Sequence, residues 1–149
     1  MKMAYSLDFL LRQRWVDYRL RYNSDKESRY IVATEMAPHI WIPDTYFPHE
    51  KRGYYYGSPS ETLIRIYGSG EVYFARNYNL RVSCHMDLSA FPFDHQSCVF
   101  VLGSFGWIED DLVYRWAKEA VRLNPDWKMS KYNLTSVRTD IECENSHHT

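Results

Sequence analysis

Apolar and polar residues alternate from Tyr5 onward. Tyr5, Leu7, Phe9 and Leu11 fall on one face, and Ser6, Asp8, Leu10, Arg12 and Arg14 on the other. A period of two predicts a half-buried strand. Leu7, Leu10 and Leu11 also make a helical stripe behind a Ser6 cap, so periodicity leaves a helix open here. Later stretches are plainer. Residues 63–67 and 71–75 flank Gly68-Ser69-Gly70, which predicts a β-hairpin on a glycine turn, and residues 77–82 prolong its second strand. Further strands are expected at residues 98–102, 112–116 and 134–139. Turn residues at Pro38, Pro43, Pro48, Gly53, Gly57, Pro59, Pro92, Gly103, Gly106 and Pro125 divide the chain into short segments. Many short strands punctuated in this way predict an all-β sandwich, and no repeat or linker marks a second domain.

Composition narrows the function. The 149 residues suffice for one core, and 45% hydrophobic with 25% charged residues is globular. Eighteen basic residues oppose 19 acidic ones for a net charge of −1, without a basic block, so nucleic-acid binding has no electrostatic support. Aromatics reach 17%, which favours strands and supplies the rings that interfaces and ligand sites use. No apolar run has the length of a membrane helix, and the start, interrupted by Asp8 and Arg12, does not read as a signal peptide.

Three cysteines, Cys84, Cys98 and Cys143, leave one over after any single bridge. A bridge between Cys84 and Cys98 would close residues 85–97 and remove unfolded-chain entropy worth about 3 kcal/mol. Within that loop the aromatic before Pro92 favours a cis bond and a tight bend. Asn133-Leu134-Thr135 is a glycosylation sequon at Asn133, compatible with a secretory route. No two of the six histidines, His147 and His148 included, sit at ligand spacing, so no metal is expected. No nucleophile–base pair or phosphate-cradling glycine loop is present, so neither an enzyme nor a cofactor is expected. Glu109-Asp110-Asp111 reads as a solvated acidic turn.

The segment CHMDLSAFPFDHQSC from Cys84 to Cys98 resembles the signature loop of Cys-loop ligand-gated ion channels. Other blocks in the same order resemble that family too. They are Leu11-Arg12-Gln13 with Trp15, Asp17, Arg19 and Leu20; Trp41-Ile42-Pro43-Asp44-Thr45-Tyr46-Phe47; the 63–72 hairpin; and Ser104-Phe105-Gly106-Trp107 with Asp110, Asp111 and Trp116. The resemblance runs from about Met3 to Cys143 and lies with the anion-channel branch, the glutamate-, glycine-, GABA- and histamine-gated receptors. It decides for a strand at Tyr5–Arg14. It implies an immunoglobulin-like β-sandwich over residues 1–149, a single partial extracellular ligand-binding domain incomplete at both ends. The first strand would precede Met1, and the last strand and membrane helices would follow Thr149.

The resemblance also implies roles. Tyr46 and Phe105 match aromatic positions on the principal side of an intersubunit agonist site, with Ser104 beside them. Leu10, Arg12, Ala75 and Asn77 match the complementary side, where Arg12 would grip a ligand carboxylate. Ala75 departs from a serine usual in glycine- and glutamate-gated relatives, Leu10 from an aromatic, and Gly103 from a glutamate of GABA-binding subunits. The agonist, of the glutamate, glycine, GABA or histamine class, therefore stays open. Cys84 and Cys98 would be bridged, and Cys143 would be the first cysteine of a second disulfide. Asp87, Phe91, Pro92 and Asp94 would couple binding to the pore. The implied protein is a homo- or hetero-pentamer at the extracellular side of the cell membrane. The alternative is a soluble pentameric binding protein of the same fold.

Overall fold

A computed structural model of the chain describes residues 2–22, 29–48, 50–54, 62–124 and 133–141, with backbone only at 2–3 and 50–54. The organising feature is a long antiparallel ladder between β1 (Lys2–Val16) and β6 (Glu71–His85), in register from Lys2 opposite His85 to Val16 opposite Glu71. The alternating pattern is therefore a strand: Tyr5, Phe9, Leu11 and Trp15 are half-buried, and Ser6, Asp8, Leu10 and Arg12 are exposed. β5 (Thr62–Tyr67) pairs with the first half of β6 and β4 (Glu50–Tyr54) with the second. β2 (Tyr30–Val32) extends the sheet beyond β5.

The β5–β6 hairpin turns on Gly70, whose φ of 87° lies in the left-handed region. A Cβ there would also stand 2.7 Å from the Asp17 carbonyl oxygen, so both conformation and space call for glycine. The carbonyl of Gly70 accepts from Asp17 N–H at 2.9 Å, which ties the end of β1 to the turn.

The second layer covers the inner face of this sheet. It includes a short ladder between β3 (Thr45–Tyr46) and β7 (Gly103–Ser104). Two apolar clusters fill the space. One joins Ala33, Ile64, Ile66, Val72 and Phe74 to Trp15, Ile40 and Ile42; the other joins Phe47, Tyr78, Leu80 and Val82 to Tyr5, Phe9, Phe100 and Leu102. Phe9 centres the second cluster, 5.5 Å from Tyr78 on its own sheet and 5.6 and 5.3 Å from Phe47 and Phe100 across the layers. Its contacts clamp layer to layer. Rings at these separations add about 0.5–1.5 kcal/mol each beyond area burial.

The predicted strands at 98–102, 112–116 and 134–139 form no ladder among the described residues. Phe100 and Leu102 nevertheless pack inward, while Val99 is exposed. The apolar run thus reported side chains that enter the core, not a paired backbone. Residues 134–139 are exposed throughout.

Leu80 is fully buried, whereas Leu10 is 43% exposed. Leu80→Ala is expected to cost about 2–5 kcal/mol of stability, and Leu10→Ala within about 0.5 kcal/mol of nothing. The check is the urea midpoint followed by tryptophan fluorescence.

Candidate functional site

Directly opposed residues of an antiparallel ladder share a face and neighbour one another. Leu10 lies opposite Asn77, and Arg12 opposite Ala75, so these four candidate positions form one patch on the outer face of the sheet. Leu10, Arg12 and Asn77 are exposed. Ala75 is not: at 4% exposure it is the floor between Arg12 and Leu63, its other cross-strand neighbour.

Tyr46 and Phe105 also come together, with ring centroids 5.5 Å apart and planes at 86°. Phe105 is 81% exposed and presents its ring to solvent. A polar knot holds it there. Asp44 accepts from Ser104 Oγ and from the Gly106 N–H, both at 2.6 Å, and Ser104 Oγ accepts from the Trp107 N–H at 2.8 Å. Burial pushes the Asp44 pKa up, but the hydrogen bonds from Ser104 and Gly106 outweigh it and hold the carboxyl below its ordinary value. The Ser104 hydroxyl is thus spent on the loop that carries Phe105.

The two groups lie on opposite sides of the sandwich. Gln13, one residue from Arg12, projects inward, and its Nε2 donates to Thr45 Oγ1 at 2.7 Å. Thr45 Oγ1 is 2.9 Å from the hydroxyl of Tyr114, whose pKa burial pushes up. Since Thr45 faces the interior, its neighbour Tyr46 faces out of the second layer. Arg12 faces out of the first. One copy of the chain cannot bring Phe105 and Arg12 around the same small molecule.

Cys84 and Cys98 form a disulfide, closing the loop at the end of β6. The Phe91–Pro92 bond is cis. Within the loop, Phe91 N–H donates to the Leu88 carbonyl at 3.1 Å and Phe93 N–H to that of Ala90 at 2.8 Å, two successive turns. Phe91 and Phe93 are exposed at the tip, 70% and 86%. Asp87 Oδ1 accepts from Ser89 N–H at 3.0 Å, which holds the Asp87 carboxyl below its ordinary pKa. Gln96 spans the loop: its Oε1 accepts from Asp87 N–H at 3.1 Å, and its Nε2 donates to both the Asp87 carbonyl and the Asp94 carboxylate.

Asn133 is exposed, as a glycosylation acceptor must be. Cys143, His147 and His148 lie outside the described residues, so the second-disulfide reading does too. Among the described residues no group of three metal-ligating side chains converges, and no helix is long and apolar enough to cross a membrane. Asp44, Gln96 and Tyr114 carry roles that the sequence reading missed. The first had a signal, since it stands inside the Trp41–Phe47 block; the other two gain their partners only in three dimensions.

Residues 1–149 match the profile of a family described as neurotransmitter-gated ion-channel ligand binding domain. Similar proteins include a gamma-aminobutyric acid receptor alpha-like protein of Drosophila melanogaster, 36% identical over 135 residues, covering 89% of this chain and 20% of the relative. A gamma-aminobutyric acid receptor subunit gamma-4 of Gallus gallus is 32% identical over 95% of this chain and 31% of its own length. A glutamate-gated chloride channel of Drosophila melanogaster is 31% identical over 93% of this chain and 31% of its own. The chain thus spans less than a third of the length of these relatives.

Asp44→Asn should lower stability by about 1–2 kcal/mol at neutral pH, in the range for hydrogen bonds to a partly screened charge. Because the folded pKa is depressed, that difference is fully present above the ordinary carboxylate pKa of about 3.9. It should vanish as pH falls through the lower folded value. Denaturant midpoints of both proteins between pH 7 and pH 2 check this.

Proposed function

Because the chain belongs to the neurotransmitter-gated ion-channel ligand binding domain family, we propose that it is the extracellular agonist-binding part of a subunit of a membrane channel. In this reading residues 1–149 form a single ligand-binding domain, part of a longer subunit. Its relatives named for GABA receptors and glutamate-gated chloride channels place it in the anion-channel branch, and chloride is the proposed ion. The observation that carries the reading is the separation of two half-sites. The Tyr46–Phe105 aromatic pair and the Arg12 patch face away from each other on one sandwich. Each is complete only against the other face of a neighbouring subunit.

The chemistry of the halves is complementary to a small amino acid or amine. The exposed face of Phe105 attracts an ammonium group, worth about 0.5–2 kcal/mol. The Arg12 guanidinium offers a carboxylate two parallel hydrogen bonds. Leu10 and Asn77 flank it, and Ala75 contributes shape without a hydroxyl. A missing hydroxyl forgoes about 0.5–1.5 kcal/mol, which favours agonists that depend less on the carboxylate than those of relatives bearing serine there.

Agonist bound across such an interface favours whichever arrangement of the two subunits fits it better, and the differential affinity shifts the pore equilibrium. The loop from Asp87 to Asp94 is the proposed coupling element. Its exposed Phe91 and Phe93 offer apolar contacts, the bend at Pro92 sets their direction, and Asp94 is oriented by Gln96. An N-glycan on Asn133 and a disulfide at Cys143 complete the extracellular assignment.

The test is current recorded from cells expressing the full-length subunit, screened against glutamate, glycine, GABA and histamine. For the activating agonist, Arg12→Ala should raise the half-maximal concentration roughly 10- to 100-fold, the equivalent of losing a charge-assisted hydrogen bond pair. Phe105→Leu should raise it about 2- to 30-fold for a cationic agonist. Unchanged sensitivity in both variants contradicts the site.

Asp94→Ala should lower the maximal response and leave radioligand affinity nearly unchanged. Equal losses of binding and efficacy would contradict a coupling role.

A further inference from the structure

Three contacts in succession lay the segment that carries the aromatic half-site along β1. The rings of Phe9 and Phe47 have centroids 5.6 Å apart, Gln13 Nε2 donates to Thr45 Oγ1 at 2.7 Å, and the rings of Trp15 and Trp41 are 5.8 Å apart. The outer two contacts hold the layers together and tolerate small displacements along the strand. The middle one is a hydrogen bond, which weakens steeply as its angle closes. Gln13 is therefore the inward side chain of β1 that fixes where Thr45 stands. It also sits where the core divides, between Leu11 of one apolar cluster and Trp15 of the other.

Thr45 lies in the middle of the scaffold of that half-site. Before it in the chain, Asp44 gathers the Ser104 hydroxyl and the Gly106 N–H, and so holds the loop bearing Phe105. After it, the ring of Tyr46 meets that of Phe105. Thr45 itself pairs with Ser104 across the β3–β7 ladder. Each strand of that ladder has 2 residues, against 15 in β1, so β3 takes little of its position from its own sheet. A second bond steadies the threonine, whose Oγ1 is 2.9 Å from the hydroxyl of Tyr114. One hydroxyl has a proton to give and lone pairs to receive, so it serves Gln13 and Tyr114 together.

Gln13 follows Arg12 on β1, and Tyr46 follows Thr45 on β3. One hydrogen bond through the interior thus joins the strand of one half-site to the strand of the other. We propose that Thr45 is a positioning residue for the agonist site, bridged to Gln13 and Tyr114 so that the Tyr46–Phe105 pair and Arg12 keep a fixed spacing through the subunit. The inference rests on the intersubunit reading of the agonist site and adds what sets its geometry. The β1–β6 sheet is the frame of each subunit, so a Phe105 loop that drifts from its own sheet also drifts from the Arg12 of a neighbour. Binding groups held in place before the ligand arrives lose less freedom when it binds.

The experiment measures the half-maximal agonist concentration of the full-length subunit in cells, with surface labelling to quantify the protein that reaches the membrane. Thr45→Val keeps the shape of the side chain and removes its hydroxyl, whereas Thr45→Ser keeps the hydroxyl. Thr45→Val should raise the half-maximal concentration roughly 2- to 10-fold, the equivalent of losing one hydrogen bond, and Thr45→Ser should stay near the parent. Gln13→Met removes the donor and should act like Thr45→Val, and the two together should cost no more than Thr45→Val alone. In the Thr45→Val background, Phe105→Leu should lose less sensitivity than it does in the parent. A purely structural role would lower the surface amount and leave these sensitivities unmoved. Parent-like sensitivity in both Thr45→Val and Gln13→Met, or equal losses in Thr45→Ser and Thr45→Val, would overturn the inference. Should Thr45→Val not reach the surface, Gln13→Met decides alone. If Arg12→Ala and Phe105→Leu have no effect in the parent, the agonist-site reading falls. If they act and the Gln13 and Thr45 variants do not, the bridge alone falls.

Discussion

The register of β1 on β6 is the constraint from which the outer surface follows. A slip of one residue would exchange the two faces of β1 and carry Phe9 into solvent and Arg12 into the core. Phe9 prevents it. Its ring meets Tyr78 within the sheet and Phe47 and Phe100 across the layers, contacts available in one register only. Leu10, Arg12 and Arg14 are therefore held outward by what their neighbours Phe9, Leu11 and Trp15 bury. The binding chemistry proposed for this face depends on packing on the other.

The second layer is positioned by different means. Thr45 meets Gln13 and Tyr114 through hydrogen bonds in the interior, and Asp44 gathers the Ser104 hydroxyl and the Gly106 amide around one carboxylate. Directional bonds suit a loop that must expose an aromatic ring, because an apolar anchor would draw Phe105 inward. The exposed ring is what the proposed intersubunit site needs. Apolar burial orients one proposed half-site and a carboxylate knot orients the other.

Features encoded by local chemistry were legible in the sequence. Once the resemblance had decided for a strand, the alternation from Tyr5 gave β1 its faces; Gly70 marked the hairpin, and the Cys84–Cys98 loop with its aromatic–proline bend appears as expected. Pairings between distant segments were not legible. Residues 98–102 are a short apolar, β-branched run like a core strand, yet they form no ladder among the described residues and the next pairing is at Gly103–Ser104, because apolar content records burial and says nothing of a backbone partner. Ser104 looked available as a ligand contact, and its hydroxyl is committed to Asp44 and Trp107. Ala75 sits in the predicted patch but below its surface.

The central claim is that one subunit supplies Phe105 and its neighbour supplies Arg12. It is tested most directly by co-expressing two defective subunits, one Arg12→Ala and one Phe105→Ala. Rings mixing the two contain interfaces where an intact Phe105 face meets an intact Arg12 face, so agonist sensitivity near that of the unmodified protein should return in a fraction of the current. If the mixture responds no better than either variant alone, the two half-sites do not meet across subunits and the account is wrong.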